Sequence, residues 1–236
     1  MDESLVARVY AFVSGPMVWI AFALFFGGLV VQTFRFFKIT RKKQQLFMPK
    51  PPPRRPWPRT LAGWTELGVA TYDRSVDEVR RSIAGSHPVM TVVTVLFHVL
   101  LFATPIFLVA HNTMLEESIV FHLPSVPEGF SDFLTFVVIL CAVVFLVRRV
   151  ALRRVRVITT AYDYVVLAVT AAPFVTGFLA YHQVGHYLTM VTLHVVTGEL
   201  MLILVPFTRL GHALFFFLYR FLVGSEYSFG QGTRAW

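Results

Sequence analysis

The sequence has one cysteine, Cys141, in 236 residues. A single thiol excludes an internal disulfide, a cysteine-rich zinc site and a self-contained iron–sulfur cluster. There is no Cys-x-x-Cys-His run, so covalently attached haem is not expected. Charge is also scarce. Only 14% of residues are charged, against about 25% in soluble domains. The chain is instead 56% hydrophobic and 15% aromatic, with 24 phenylalanines. Several apolar runs approach the roughly 20 residues that a membrane helix needs. This composition predicts an all-α integral membrane protein. The net charge of +8 has a topological explanation, so no nucleic-acid partner is expected.

Five spans are predicted, at about residues 11–33, 88–110, 131–147, 162–181 and 188–210. The first has neither a basic region before it nor a small-residue cleavage signature, so it reads as a retained helix. The segment "RFFKITRKKQQLFMPKPPPRRPWPR" carries nine Lys/Arg and no acid, and "RRVALRRVR" carries five arginines. With five spans, 20 of the 21 basic residues fall on one side, and only Arg8 lies opposite. The loop "HNTMLEESIVFHLPSVPEGFSD" has Glu116, Glu117, Glu128 and Asp132 but no base. Positive-inside bias then predicts a five-helix bundle with its N-terminus outside and its C-terminus in the cytoplasm. An even number of spans would destroy that segregation.

The expected organisation is a first transmembrane helix (1–34), a cytoplasmic basic and Pro-rich loop (35–86), a four-helix core (87–212) and a cytoplasmic tail (213–236). Within the loop, 49–59 reads as a proline-stiffened linker. Residues 60–84 read as one or two short amphipathic helices, either docking a partner or forming a solvated face with Trp57 and Trp64 near the interface.

Eight histidines stand out: 87, 98, 111, 122, 182, 186, 194 and 212. Ionisable groups in a bilayer are costly and usually functional. Neutral imidazole is the commonest metal ligand, and a haem between two helices can take one histidine from each. "LHVVTGELMLILVPFTRLGH" places His194 and His212 eighteen residues apart. On one straight helix that is five turns, so both rings would share a face about 27 Å apart along the axis. The second span offers His98, with His87 and His111 near its ends. Because it runs antiparallel to the fifth span, its inner histidine must pair with His212 and its outer one with His194. By depth alone, His87 matches His212 and His98 matches His194. Pro105, between His98 and His111, is expected to kink the second span.

The remaining candidates are weaker. "HQVGH", 182–186, nearly matches a zinc-peptidase motif, but Gln183 stands where a general-base glutamate is required. A surface turn is the plainer role for His182 and His186, and a quinone-headgroup or proton-relay role is the alternative. Glu199 lies mid-span, where a carboxyl relays protons, bonds a cofactor or hydrogen-bonds a neighbouring helix. Asp163, at a helix start, reads as a cap. Arg209 suits a haem propionate or is simply part of the basic set. His122 reads as an ordinary loop residue.

The motifs together resemble a known family. "LHVVTGELMLILVPFTRLGH" is similar to the fifth-helix pattern of the gamma subunit of respiratory nitrate reductase, a five-helix dihaem cytochrome b. The matching positions are His194, Gly198, Pro206, Phe207, Thr208, Arg209, Leu210 and His212. "LFHVLLFATPIFLVAHN" resembles its second-helix pattern, with Ala110 in place of a glycine before His111. "RVRVITTAYDYVVLAV" resembles its Arg-rich entry into helix four. The closer likeness is to the membrane cytochromes of sulfate-reducer complexes, the Tmc and Dsr types.

This resemblance implies two non-covalent b haems, held by His98 with His212 on the inner side and by His111 with His194 on the outer. It also implies a cytoplasmic iron–sulfur subunit as partner. A quinone pool, such as menaquinone, or a periplasmic multihaem cytochrome c stands at the other end of the electron path. The location it implies is the inner membrane of a bacterium or archaeon, as a subunit of a respiratory oxidoreductase complex. The competing class is a haem-free membrane scaffold or transporter subunit whose histidines are structural.

Overall fold

The computed structural model describes residues 3–41, 60–81, 83–121 and 123–222. The linker at 49–59, His122 and the tail from residue 223 lie outside them. In chain order the helices are α1 (Glu3–Phe12), a π-helical turn (Val13–Met17), α2 (Val18–Arg41), α3 (Leu61–Arg81), α4 (Ile83–Ser86), α5 (Pro88–Phe107) and α6 (Val109–Ile119). They continue with α7 (Glu128–Ala151), α8 (Arg153–Arg156), α9 (Ala161–Tyr181), α10 (Tyr187–Leu204), two 3-10 turns (Val205–Phe207 and Arg209–Gly211) and α11 (His212–Leu222). Among the described residues there is no strand, only an isolated bridge between Leu108 and Val126.

Five segments are long and apolar enough to cross a membrane: Ser4–Ile39, Pro88–Phe107, Glu128–Ala151, Ala161–Tyr181 and Tyr187–Phe207. The chain is thus an all-helical, multi-pass membrane protein. It divides into two compact units, Met1–Pro51 with Val144–Trp236, and Pro52–Val143.

In the first unit the opening span, Ser4–Ile39, extends beyond the expected 11–33 at both ends and passes through Pro16. Proline has no N–H and cannot make the usual bond to the carbonyl four residues back. The chain passes it in the π-helical turn Val13–Met17 and continues as α2. One row of this long helix is buried: Val6, Val13, Ala21, Gly28 and Phe36. The row packs on α10 and the turn after it. Gly28 lies so close to Pro206 that a Cβ there would sit 2.6 Å from the proline Cγ. One turn on, Gln32 Nε2 donates to the Pro206 carbonyl at 2.8 Å. Further along, the rings of Phe36 and Phe215 lie 6.3 Å apart. Rising numbers on one segment meet rising numbers on the other, so they run in the same direction. Three reversals between them would leave them antiparallel; four, as five spans require, leave them parallel.

α9 and α10 form an antiparallel pair joined by a tight turn. Gln183 and Gly185 both take left-handed backbone there (φ 54° and 77°), and the glycine adopts this freely.

The span after that turn corrects one expectation. His194 and His212 do not share a straight helix. α10 ends at Leu204, and two 3-10 turns follow, with Thr208 extended between them (φ −123°, ψ −175°). Pro206 cannot continue the helical bonding. The Thr208 hydroxyl donates to the Leu204 carbonyl at 2.7 Å and accepts from Leu210 N at 3.3 Å, so it stitches the break. His212 begins α11, so the two histidines are not five straight turns apart on one helix face.

In the second unit α5 starts at Pro88, directly after the exposed His87. It runs through Pro105 and stops at Phe107. The break comes at Leu108, whose backbone is extended (φ −71°, ψ 129°), three residues later than the proline suggests. Phe107's carbonyl, orphaned at the helix end, accepts from Val126 N at 3.0 Å. His111 therefore sits on a separate helix from His98.

Candidate functional site

Four of the histidines are held in the same way. His98 Nδ1 lies 2.7 Å from the Thr94 carbonyl, and His111 Nδ1 lies 2.9 Å from the Pro105 carbonyl. His194 Nδ1 lies 2.8 Å from the Pro173 carbonyl, and His212 Nδ1 lies 2.7 Å from the Arg209 carbonyl. A carbonyl can only accept. Each Nδ1 must therefore carry the proton, and in a neutral ring the lone pair then resides on Nε2. Metal-ligating histidines are typically oriented by such a bond from the other ring nitrogen. These are the four residues that the family resemblance marks as ligands.

The remaining described histidines have other surroundings. His87 precedes the first turn of α5 and is exposed. His182 ends α9, with its ring 4.3 Å from Phe178 and 5.2 Å from Tyr181. His186 meets the Thr189 hydroxyl at 3.2 Å, a partner that can donate or accept.

Local structure explains each anchor. The His98 bond reaches back one turn within α5, where residues four apart are neighbours. The His111 bond closes the break at Leu108, because its ring takes a carbonyl near the end of α5. Asn112 beside it is buried and donates from Nδ2 to Ser125 Oγ at 2.8 Å, fixing the start of α6. His212 hangs on the 3-10 turn Arg209–Gly211, and that turn is held in its own right. Arg209 Nη1 pairs with Asp163 Oδ1 at 2.6 Å, and its Cζ lies 5.0 Å from the centre of the Tyr162 ring. Arg209 N also donates to the Tyr162 hydroxyl at 3.2 Å.

Asp163 does more than cap. Its Oδ2 accepts from Thr160 N and from Thr160 Oγ1, both at 2.8 Å, completing a capping box at the start of α9. Its other oxygen takes Arg209. The arginine is 64% exposed, so solvent screens the ion pair and it adds little to stability. Its value is positional: a chain of contacts from Thr160 through Asp163 and Arg209 reaches the carbonyl that orients His212.

The expected quinone or proton group does not assemble as one site. His182 and His186 flank the turn between α9 and α10. Glu199 lies 13 residues beyond His186, about 20 Å along α10. The two histidines of "HQVGH" sit on different helix ends, whereas zinc-peptidase ligation needs them one turn apart on a single helix.

Glu199 is 7% exposed, and its Oε1 has no hydrogen-bond partner among the described residues. It falls in a row with Thr192 and Pro206, seven residues to either side and both buried. An unsatisfied buried polar atom costs about 1–3 kcal/mol. Glu199→Met is therefore expected to stabilise the protein by an amount of that order. Thermal unfolding in a mild detergent checks this, and a lowered midpoint would show that the carboxyl has a stabilising partner.

Sequence comparison places the chain among relatives. A protein of Nitratidesulfovibrio vulgaris (strain Hildenborough) is 38% identical over 224 residues, covering 95% of this chain and 96% of its own length. The chain belongs to the family of that protein. No family model matches the sequence, and no solved structure does.

Proposed function

We propose that this chain is a dihaem membrane cytochrome b, the electron conduit of a respiratory redox complex. The observation that carries the reading is the common anchoring of His98, His111, His194 and His212, each with its proton on Nδ1 and its lone pair on Nε2. That donor set suits haem iron, which takes one imidazole on each face of the porphyrin. It suits zinc less well: among the described residues, no three His, Cys, Asp or Glu side chains gather as a metal site. In this reading His98 pairs with His212 and His111 with His194, and Arg209 stands beside His212 with guanidinium donors suited to a propionate.

A b haem held by two imidazoles supplies one-electron chemistry. The protein's own part is to hold four rings in the ligating tautomer, two on each unit. The basic loops and the tail fit a cytoplasmic iron–sulfur partner, with the N-terminus outside. Menaquinone or a periplasmic multihaem cytochrome c completes the path on the other side. The turn bearing His182 and His186 is the candidate for a quinone headgroup. The setting is the inner membrane of a bacterium or archaeon.

The test is the visible spectrum of the purified full-length protein, air-oxidised and then dithionite-reduced, with haem quantified as the pyridine adduct. Two b haems per chain are expected. A featureless spectrum would overturn the proposal in favour of a haem-free scaffold or transporter subunit with structural histidines.

A further inference from the structure

His194 differs from the other three anchored histidines. Their carbonyl partners lie three to six residues away on the local chain, whereas His194 bonds across to another helix. Its acceptor, Pro173 on α9, is 21 residues distant in sequence. Four residues after Pro173, and so on the same face of α9, comes Gly177. A Cβ built there would lie 2.9 Å from both Cε1 and Nδ1 of the His194 ring. The imidazole thus rests directly on the bare backbone of α9.

The contact is not an accident of a loose end. The ring is tethered by its Nδ1–H bond, so it cannot swing away without breaking it. Nearby, the Thr176 and Thr197 hydroxyls meet at 3.2 Å, a second tie between the two helices. Thr176 Oγ1 also reaches the Ala172 carbonyl at 2.7 Å, which orients it. Gly177 itself has ordinary helical backbone, with no positive φ that would call for glycine. Glycine inside a helix is a poorer choice than alanine. The imidazole above it supplies the reason for the missing side chain.

We propose that Pro173 and Gly177 form a seat for His194. The carbonyl of the first fixes the tautomer, and the missing side chain of the second fixes the rotation of the ring. They are positioning residues that preset the plane in which Nε2 is presented. The consequence for haem rests on the cytochrome reading above; the seat itself does not.

The experiment uses the full-length protein in lipid nanodiscs, labelled with 13C at the proline carbonyls and 15N at histidine. His194→Gln identifies the His194 signal. Solid-state NMR should show His194 Nδ1 protonated and dipolar-coupled to a proline carbonyl carbon, with that coupling lost in Gly177→Ala. Gly198→Ala is the control, since a Cβ at Gly198 meets nothing within 4 Å, and it should leave the signal unchanged. In the haem-loaded protein, Gly177→Ala should shift the low-spin EPR signal and midpoint potential of one haem and leave the other alone.

The seat is refuted if wild-type His194 Nδ1 shows no such coupling, a result that needs no variant to fold. It is also refuted if Gly177→Ala leaves the coupling and the His194 signal at their wild-type values. If the wild type binds no haem, the cytochrome reading fails, while the NMR comparison still decides the seat.

Discussion

Replacing His194 by alanine is expected to reduce the haem bound per chain from two to one, with the remaining haem still giving a reduced b-type band. An axial imidazole is the main bond between iron and protein at each face, so a non-covalent haem that loses one keeps a single axial bond and is held far more weakly. The pairing makes the pattern across variants specific. His111→Ala should behave like His194→Ala and spare the same haem. His98→Ala and His212→Ala should remove the other. His87→Ala should leave both, because His87 is exposed at the entry to α5 and lacks the carbonyl anchor of the other four. Haem-to-protein ratio and the redox titration of each variant check the assignment. Loss of a haem in His87→Ala with retention in His111→Ala would transfer ligation to the His87/His98 pair, the choice that depth arithmetic alone favours.

Two adjacent glycines should respond in opposite directions to the same substitution. At Gly28 a Cβ would lie 2.6 Å and 2.7 Å from Pro206 Cγ and Cβ, and 2.9 Å from Phe207 Cζ. Phe207 Cζ is the tip of an exposed ring that can turn aside, but the two Pro206 atoms belong to a rigid ring. The proline ring belongs to the break after α10, and Gln32 clamps its carbonyl. Overpacking of this kind costs about 1–3 kcal/mol, so Gly28→Ala is expected to lower the unfolding midpoint. A change of 1 kcal/mol moves Tm by roughly 2–4 °C in a protein of this size. At Gly27 a Cβ meets nothing within 4 Å, and the helix propensity of alanine favours it by up to about 1 kcal/mol. Gly27→Ala should therefore hold or raise the midpoint. Thermal unfolding of both variants in one detergent is the measurement. Equal effects would mean that the first span does not press on Pro206. Small residues allow this close approach of helices in membranes, where apolar burial gives little drive for association.

The five apolar segments were legible from hydropathy, because length and apolar content are what a bilayer demands of a helix. Their interruptions were less so. Pro16, Pro105 and Pro206 are equally visible as letters, yet the chain widens at the first, runs on past the second and breaks at the third. The outcome depends on what neighbours the freed backbone groups find: Val126 N for Phe107, Gln32 for Pro206. Those partners come from distant parts of the sequence.

The histidine anchors were hidden for a similar reason, since each acceptor is a backbone carbonyl that any residue possesses. As letters, Arg209 suits a propionate or the basic set, and Asp163 suits a cap. Their mutual ion pair joins residues 46 apart that only the antiparallel approach of α9 brings together. Glu199 was visible as a mid-span carboxyl, but its lack of a partner at Oε1 is a property of packing.

The wide turn at Val13–Met17 has a geometric consequence of its own. From Val6 to Phe36 is thirty residues. At about 100° per residue a regular helix would bring these two side chains about 120° out of phase. Both are buried, along with three residues between them. A turn that takes up roughly one extra residue returns about 100° of that error, so both halves of a helix some 54 Å long can lie against one neighbour. The proline thus works as a vernier. Deleting a single residue near it should rotate everything toward the N-terminus off the seam, whereas a change made beyond Phe36 leaves that alignment untouched.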